Sequence, residues 1–341
     1  MKEYVISELK NLFRTVFGGE ISSIDPIHAS GSARRYYRIW SGKKSYIFCY
    51  SQNIKENETF INLTKFFKSK RLRVPEIMGV NKRGDLYILE DLGDRDLMSA
   101  IRNEERDKFF YKTLAETIRG LVDFQFLPYE EWKNIVEFKP LGKDLIEYDF
   151  NYCIENFLKV TSLKRNLPEI NREFKKLEEK LLTYPKKLWG LMYRDFQSRN
   201  IMLYDEKPYF IDYQSSRFGP GIYDVVSFAW QAKAGFSNEE RNEIVKIYCE
   251  ALQEKGVLET EEVGLQIGNW AAFRIIQTLG AYGLRGLKEG KKHFIESIPP
   301  ALNNLKALLE NYSINKFMPE FYRIITEIGE DPKFLDIRLK E

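Results

Sequence analysis

The 341 residues carry 53 basic and 50 acidic side chains, a formal charge of only +3, and 43% of them are hydrophobic. A chain of this length and apolar content is an ordinary globular protein of about two domains, and its near balance of charge excludes a global field for gathering nucleic acid. Cys49, Cys153 and Cys249 are too few and too far apart for a disulfide framework or a C-x-x-C metal cluster, no stretch is apolar for long enough to span a bilayer, and the first twenty residues lack a signal-peptide core. A cytoplasmic protein with no membrane or nucleic-acid partner is expected.

Val5, Leu9, Leu12, Phe13, Val16 and Phe17 recur at helical spacing, so the chain opens on an amphipathic helix that stops at Gly18 and Gly19. ISSIDPIHAS, ARRYYRIWSG and KSYIFCYS then read as strands, the last two joined by a turn around Ser41 to Lys44. Glu56 to Lys70 is helical through Phe60, Leu63, Phe66 and Phe67. PEIMGV and DLYILEDL follow as a strand pair turning at Asn81 and Gly84. Beyond Asp91 helices dominate: Phe109 to Phe126, Tyr148 to Val160, Ile170 to Leu182, Tyr223 to Lys233, Glu239 to Gln253, Glu262 to Gly280 and Ile298 to Glu310. The expected class is α+β, with a small antiparallel-sheet lobe over residues 1–92, a hinge at ILEDLGDRDL, and a mainly helical lobe over 93–341.

Between the helices lies YRDFQSRNIMLYDEKPYFIDYQ, residues Tyr193 to Gln214. IMLY and YFID flank the turn-forming DEKP, so a hairpin should return Asp212 to the end where Asn200 enters, with Asp195 in the loop before it. One carboxylate free to take a proton, and a second carboxylate with an amide oxygen facing a hard divalent cation, suit phosphoryl transfer from a magnesium nucleotide. Taken as isolated residues, the Asp and Asn are equally readable as turn caps.

On these residues the chain resembles the aminoglycoside phosphotransferase and choline kinase superfamily, relatives of the protein kinases. D-x-x-x-x-N is met by Asp195 and Asn200, and the D-F-G aspartate by Asp212 in IDYQ. GSARRYYRI, LEDLGDRDL, YRDFQSRN, IDYQSSRFGPGIYD and FRIIQTLGAYGLRGLKEGKKHF are similar to the branch that phosphorylates the C1 hydroxyl of N-acetylmuramate and N-acetylglucosamine. The resemblance implies a protein-kinase-like two-lobe fold, ATP or another NTP with Mg2+, Asp195 as base or orienter of the acceptor hydroxyl, and Asn200 with Asp212 as metal ligands. Glu90 and Leu92 fall at the hinge where backbone groups would bind adenine.

Two departures stand out. Tyr193 occupies the usual His position before the Arg-Asp pair, and KSYIFCYS lacks the strand lysine that protein kinases place on the phosphates. Ser32, Arg34 and Arg35 in GSARRYY are the candidates to cradle phosphate and replace that charge, with Glu58 on the following helix a partner for one arginine or simply solvated. Asp224 is expected to cap its helix or brace the catalytic loop. Trp270 could stack on a sugar or fill the core, and His28 and His293 have no partner at a recognisable spacing.

Arg274, Arg285, Lys288, Lys291 and Lys292 against the single Glu289 argue for a neutral or anionic acceptor, since a polycationic one calls for carboxylates. The expected activity is transfer of phosphate to a hydroxyl, that of an N-acetylated amino sugar at its anomeric position. The alternatives are an aminoglycoside or choline-type kinase, and a catalytically silent nucleotide-binding regulator.

Overall fold

The computed structural model describes residues 3–27, 34–103, 106–161, 165–257, 260–332 and 334. The chain opens with α1 (Glu3–Phe17), β1 (Ser23–Ile27), β2 (Arg35–Ser41), β3 (Lys44–Tyr50), α2 (Ile54–Ser69), β4 (Ile77–Val80) and β5 (Leu86–Glu90). Three helices follow, α3 (Leu97–Asn103), α4 (Lys108–Gln125) and the short α5 (Tyr129–Trp132), then α6 (Lys143–Asn156) and α7 (Leu167–Leu182). Four short strands, β6 (Trp189–Met192), β7 (Ile201–Tyr204), β8 (Lys207–Phe210) and β9 (Arg217–Pro220), precede α8 (Ile222–Ala229), α9 (Asn238–Glu254) and α10 (Thr260–Tyr282). A π-helical stretch (Gly283–Lys288) leads to α11 (Lys292–Ile295), α12 (Ile298–Asn311) and α13 (Pro319–Glu330).

The chain divides into two units, one formed by Met1–Phe138 with Ser198–Ser216, the other by Lys139–Gln197 with Arg217–Glu341. The first unit thus runs past the hinge and takes in the Asn200 to Asp212 hairpin from far along the chain.

In the first unit the sheet order is β1-β2-β3-β5-β4, every pair antiparallel. Alternation along the strands separates its faces. Ile39, Phe48 and Ile88 fall on one face, where Val5, Leu9 and Phe13 of α1 complete a core. These three α1 residues are spaced by four, one stripe of the helix, as the apolar periodicity requires. Tyr36, Cys49 and Tyr87 share a second register row one residue out of phase, hence the opposite face. The β2–β3 turn closes with Ser41 opposite Lys44, and Gly42 there takes a φ of 60° that favours glycine.

The second unit is built around α10, whose Trp270, Ala271, Phe273 and Ile276 are buried. Trp270 belongs to that core, its ring 5.9 Å from both Tyr184 and Phe273. Glu173 of α7, fully buried, accepts the amides of Glu320 and Phe321 at 2.8 Å each, which satisfies two orphan donors of the first turn of α13. Cys49, Cys153 and Cys249 are all free thiols, and among the described residues no helix is long and apolar enough to cross a membrane.

Candidate active site

The stretch from Tyr193 to Gln214 belongs to the helical unit up to Gln197 and to the sheet-bearing unit from Ser198. In the helical unit, strand β6 delivers the chain to Tyr193, where two consecutive amides donate to one carboxylate. Tyr193 N–H meets Oδ2 of Asp224 at 2.8 Å and Arg194 N–H meets Oδ1 at 2.9 Å. Asp224 is fully buried in the first turn of α8, so these are strong, charge-assisted bonds. They hold Arg194 at a φ of 76°, a left-handed conformation that costs a non-glycine residue about 1–2 kcal/mol. The turn presents Asp195, partly exposed, whose Oδ1 accepts from Gln197 Nε2 at 3.0 Å. Tyr193 is fully buried and meets Phe196 edge-on at 5.4 Å, and Phe196 lies 5.6 Å from Phe228 of α8. Where the resemblance leads to a histidine, this chain braces the loop with a packed aromatic.

In the sheet-bearing unit the hairpin pairs Ile201 with Phe210 and Tyr204 with Lys207, leaving only Asp205 and Glu206 in the turn. Both have positive φ, 48° and 58°, the two-residue geometry whose twist matches a hairpin. Lys207 and Pro208, read from sequence as turn, are therefore strand. Pro208 is tolerated because its partner Leu203 sends its amide outward to the carbonyl of Arg95 at 2.8 Å, so no ladder bond is missing. One further bond, Ile211 N–H to the Asn200 carbonyl at 3.0 Å, carries the closure past the strands. Asn200 Nδ2 consequently lies 3.4 Å from Asp212 Oδ2, while Gln214 Nε2 donates to Asp212 Oδ1 at 2.7 Å. A carboxylate and a side-chain amide thus lie side by side, and their oxygens are the hard donors that suit a magnesium ion, which needs few protein ligands when phosphate and water complete its shell. Among the described residues no group of three or more His, Cys, Asp and Glu forms a dedicated metal cage.

Tyr213 anchors this pair. Its buried ring stacks on Phe60 at 5.0 Å and meets Phe67 edge-on at 5.0 Å, and its hydroxyl lies 2.5 Å from Thr64 Oγ1. Phe60, Thr64 and Phe67 form one stripe of α2, spaced by four and three residues. The same helix carries Glu56, whose Oε1 lies 3.1 Å from Nη2 of the buried Arg34. Arg34 also faces the Tyr36 hydroxyl at 3.5 Å. Burial pushes the Tyr36 phenol up, Cys49 and Asp212 add to the push, and Arg34 opposes it, which joins Arg34, Tyr36 and Asp212 in one electrostatic neighbourhood. Burial also raises the Cys49 thiol, to about 11. Cys49 is thus a neutral side chain on the face it shares with Tyr36 and Tyr87, and Arg34 is the buried cation of that neighbourhood.

The remaining candidates fall out separately. Arg35, opposite Tyr50 at the start of β2, is exposed and one residue out of phase with Arg34 and Tyr36. Ser32 and His28 lie outside the described residues. Glu58 is exposed, and Glu56, two residues nearer the helix start, is the residue that pairs with arginine. Glu90 closes β5 with its amide on the Glu76 carbonyl at 2.9 Å, and Leu92 is buried. Between them Asp91 takes a two-pronged contact from Arg38, 2.7 and 3.1 Å, and the Gly93 amide at 2.9 Å. Arg38 therefore fastens the segment after β5 to β2, a role that no motif announced.

The profile of the phosphotransferase enzyme family matches residues 23–260. The chain belongs to this family. Within it the chain is similar to the N-acetylmuramate/N-acetylglucosamine kinase of Neisseria meningitidis serogroup B, 23% identical over 95% of this chain and 96% of that one. The same-named enzyme of Pseudomonas putida is 22% identical over 86% of each. Among solved structures, an amicoumacin kinase bound to AMP-PNP and Ca2+ superposes with a TM-score of 0.65 at 11% identity, covering 91% of this chain and 93% of that one. An ethanolamine kinase of Plasmodium vivax gives 0.59 at 15% identity, with 87% and 84% covered. These structures share the protein-kinase-like fold. As a member of the phosphotransferase family, the protein is a small-molecule kinase that transfers phosphate to a hydroxyl.

Proposed function

We propose that the protein phosphorylates the anomeric hydroxyl of an N-acetylated amino sugar with ATP and magnesium. The observation that carries the mechanism is the pairing of Asn200 with Asp212 at 3.4 Å, five and seventeen residues after an Asp195 whose loop is pinned by Asp224. In this reading Asn200 and Asp212 hold the magnesium, which when bound neutralises charge on the nucleotide phosphates. Asp195 accepts the proton of the acceptor hydroxyl while that oxygen forms a bond to the γ-phosphorus and the bond to the ADP oxygen breaks. Gln197 orients the Asp195 carboxylate through its 3.0 Å hydrogen bond. Arg34, held by Glu56, supplies the phosphate-facing charge that β3 omits, and the backbone of Glu90 and Leu92 receives the base.

The names of the curated relatives support an amino sugar as acceptor. The test is ATP consumption by the purified protein across N-acetylhexosamines, aminoglycosides and choline. Turnover is expected with the N-acetylhexosamines and should be lost in Asp195→Asn. Turnover with aminoglycosides or choline alone, or an unaffected Asp195→Asn, would refute this reading.

A further inference from the structure

Charge in the helical unit collects around one residue. Tyr223 is fully buried at the start of α8, its hydroxyl has no hydrogen-bond partner among the described residues, and two guanidinium groups approach its ring, Arg194 at 4.9 Å and Arg274 at 5.5 Å from the centroid. Arg194 spends Nη2 on Asp149 at 2.9 Å, while its buried Nη1 has no hydrogen-bond partner. Arg217, on β9 opposite Met192, joins the group: burial and then the neighbouring Arg194 push it down to about 10. The carboxylates at hand are already engaged, Asp149 by Arg194 and Asp224 by the two loop amides.

Arg274 and Lys288 differ from the other cations of their segment, and Lys288 rests its Nζ on the Glu155 carbonyl and the Asn156 side-chain oxygen. Arg285 and Lys291 pair with Glu289, and Lys292 pairs with Glu296. Among the described residues Arg274 is held by neutral groups, its Nε on Ser227 Oγ at 2.8 Å and its Nη1 on the Gln277 side-chain oxygen. Ser227 is one turn along α8 from Tyr223, so a single helix positions both the ring under the guanidinium and the hydroxyl that aims it. A half-buried guanidinium served by neutral partners, as Arg274 is, is poised for an anion, and its planar fork matches a carboxylate. Arg194 is the chain neighbour of Asp195, and the Asp195 carboxylate acts on it directly.

Resting on the acceptor reading above, we infer that Arg274, with Arg217, Arg194 Nη1 and the Tyr223 hydroxyl, forms an anion subsite beside Asp195 that takes the carboxylate of an acidic acceptor sugar. The subsite is a specificity device. It favours the acid-bearing sugar over its neutral counterpart without touching the hydroxyl that reacts.

The test compares kcat/KM for N-acetylmuramate, which carries a carboxylate, with that for N-acetylglucosamine, which does not. The wild-type protein is expected to prefer the acid, and Arg274→Gln should lower the acid-to-neutral ratio at least tenfold. Arg274→Lys, which keeps the charge and loses the fork, should fall between, and Arg217→Gln should move the ratio the same way if Arg274→Gln fails to fold. A ratio unchanged in all three variants, or a wild type with equal preference, overturns the subsite and leaves the kinase reading standing. Turnover of neither sugar by the wild type overturns both.

Discussion

The guanidinium of Arg34 and the carboxylate of Glu56 meet at 3.1 Å, the first just ahead of β2 and the second in the first turn of α2. Protein kinases join a strand lysine to a helix glutamate, whereas here the buried cation arrives from the neighbouring strand and Cys49 stands neutral on β3. Arg34→Met should therefore destabilise the fold, by about 1–3 kcal/mol rather than the larger cost of a fully buried pair, because the Glu56 side chain is 31% exposed. Denaturant unfolding measures this. Adding Cys49→Lys to Arg34→Met should recover at least tenfold of the lost kcat/KM for ATP, and no recovery would show that the two positions do not share a function.

Asp212 and Asn200 differ in charge, so their removal should differ in effect. Asp212→Asn is expected to lower kcat by about 10²-fold or more, the scale of losing one preorganised electrostatic contact. Asn200→Ala should chiefly raise the magnesium concentration for half-maximal rate. Titrating magnesium at saturating ATP separates them, and an unchanged magnesium dependence in both variants would count against these residues as ligands.

Asp224 satisfies two buried backbone amides at once. Asp224→Ala leaves both without an acceptor and should cost about 2–6 kcal/mol, at 1–3 for each group. Asp224→Asn retains one acceptor oxygen and should lose roughly half as much. Urea midpoints of the three proteins, at unchanged m-value, check the ordering.

Two glycines near α10 should respond with opposite sign to the same substitution. A Cβ at Gly283 would meet the Asn156 carbonyl oxygen at 2.1 Å, so Gly283→Ala must push the π-helical stretch off α6 and should cost about 3 kcal/mol or more. At Gly264 nothing lies within 4 Å, and Gly264→Ala should stabilise by about 0.5–1 kcal/mol through helix propensity alone. Thermal midpoints of the pair provide the comparison.

Asp91 gives a pH signature. Burial raises its carboxyl, but hydrogen bonds from Arg38, Ser45 and the Gly93 amide outweigh burial and hold it below the usual range. A depressed carboxylate contributes stability above its unfolded value, about 3.9, and loses it as pH falls through the folded value. Unfolding free energy should therefore be flat from pH 7 to about 5 on this account and decline below about 4. Arg38→Gln should make that acid-side decline shallower, and an identical decline in both proteins would refute the assignment.

How much of this was written in the sequence depended on whether the deciding relationship was local. Asn200 and Asp212 could be paired from punctuation alone, because a hairpin converts twelve residues of separation into adjacency. Arg34 and Arg35 could not be told apart, since their facing depends on strand phase, and the register of β2 against β3 is set by the core under α1. Glu56 and Glu58 posed the same problem on a helix whose start is fixed by Asn53, which caps the Glu56 amide. Asp149 was invisible for another reason: it meets Arg194 from 45 residues away, and nothing around it marks it as a partner. Tyr193 read as a departure from pattern until burial showed that its ring does the bracing.

The discontinuity of the sheet-bearing unit reaches back to how the protein is made. Thr64 and Tyr213 touch across 149 residues, so the apolar stripe of α2 waits for chain that has not yet been synthesised. On a ribosome adding about 5–20 residues per second, Phe60 and Phe67 go about 7–30 seconds without their Tyr213 cover. An excised N-terminal fragment ending at Phe138 would carry that vacancy permanently, which makes the sheet-bearing unit of this enzyme an assembly of two chain segments and unsuitable for transplantation as one contiguous piece.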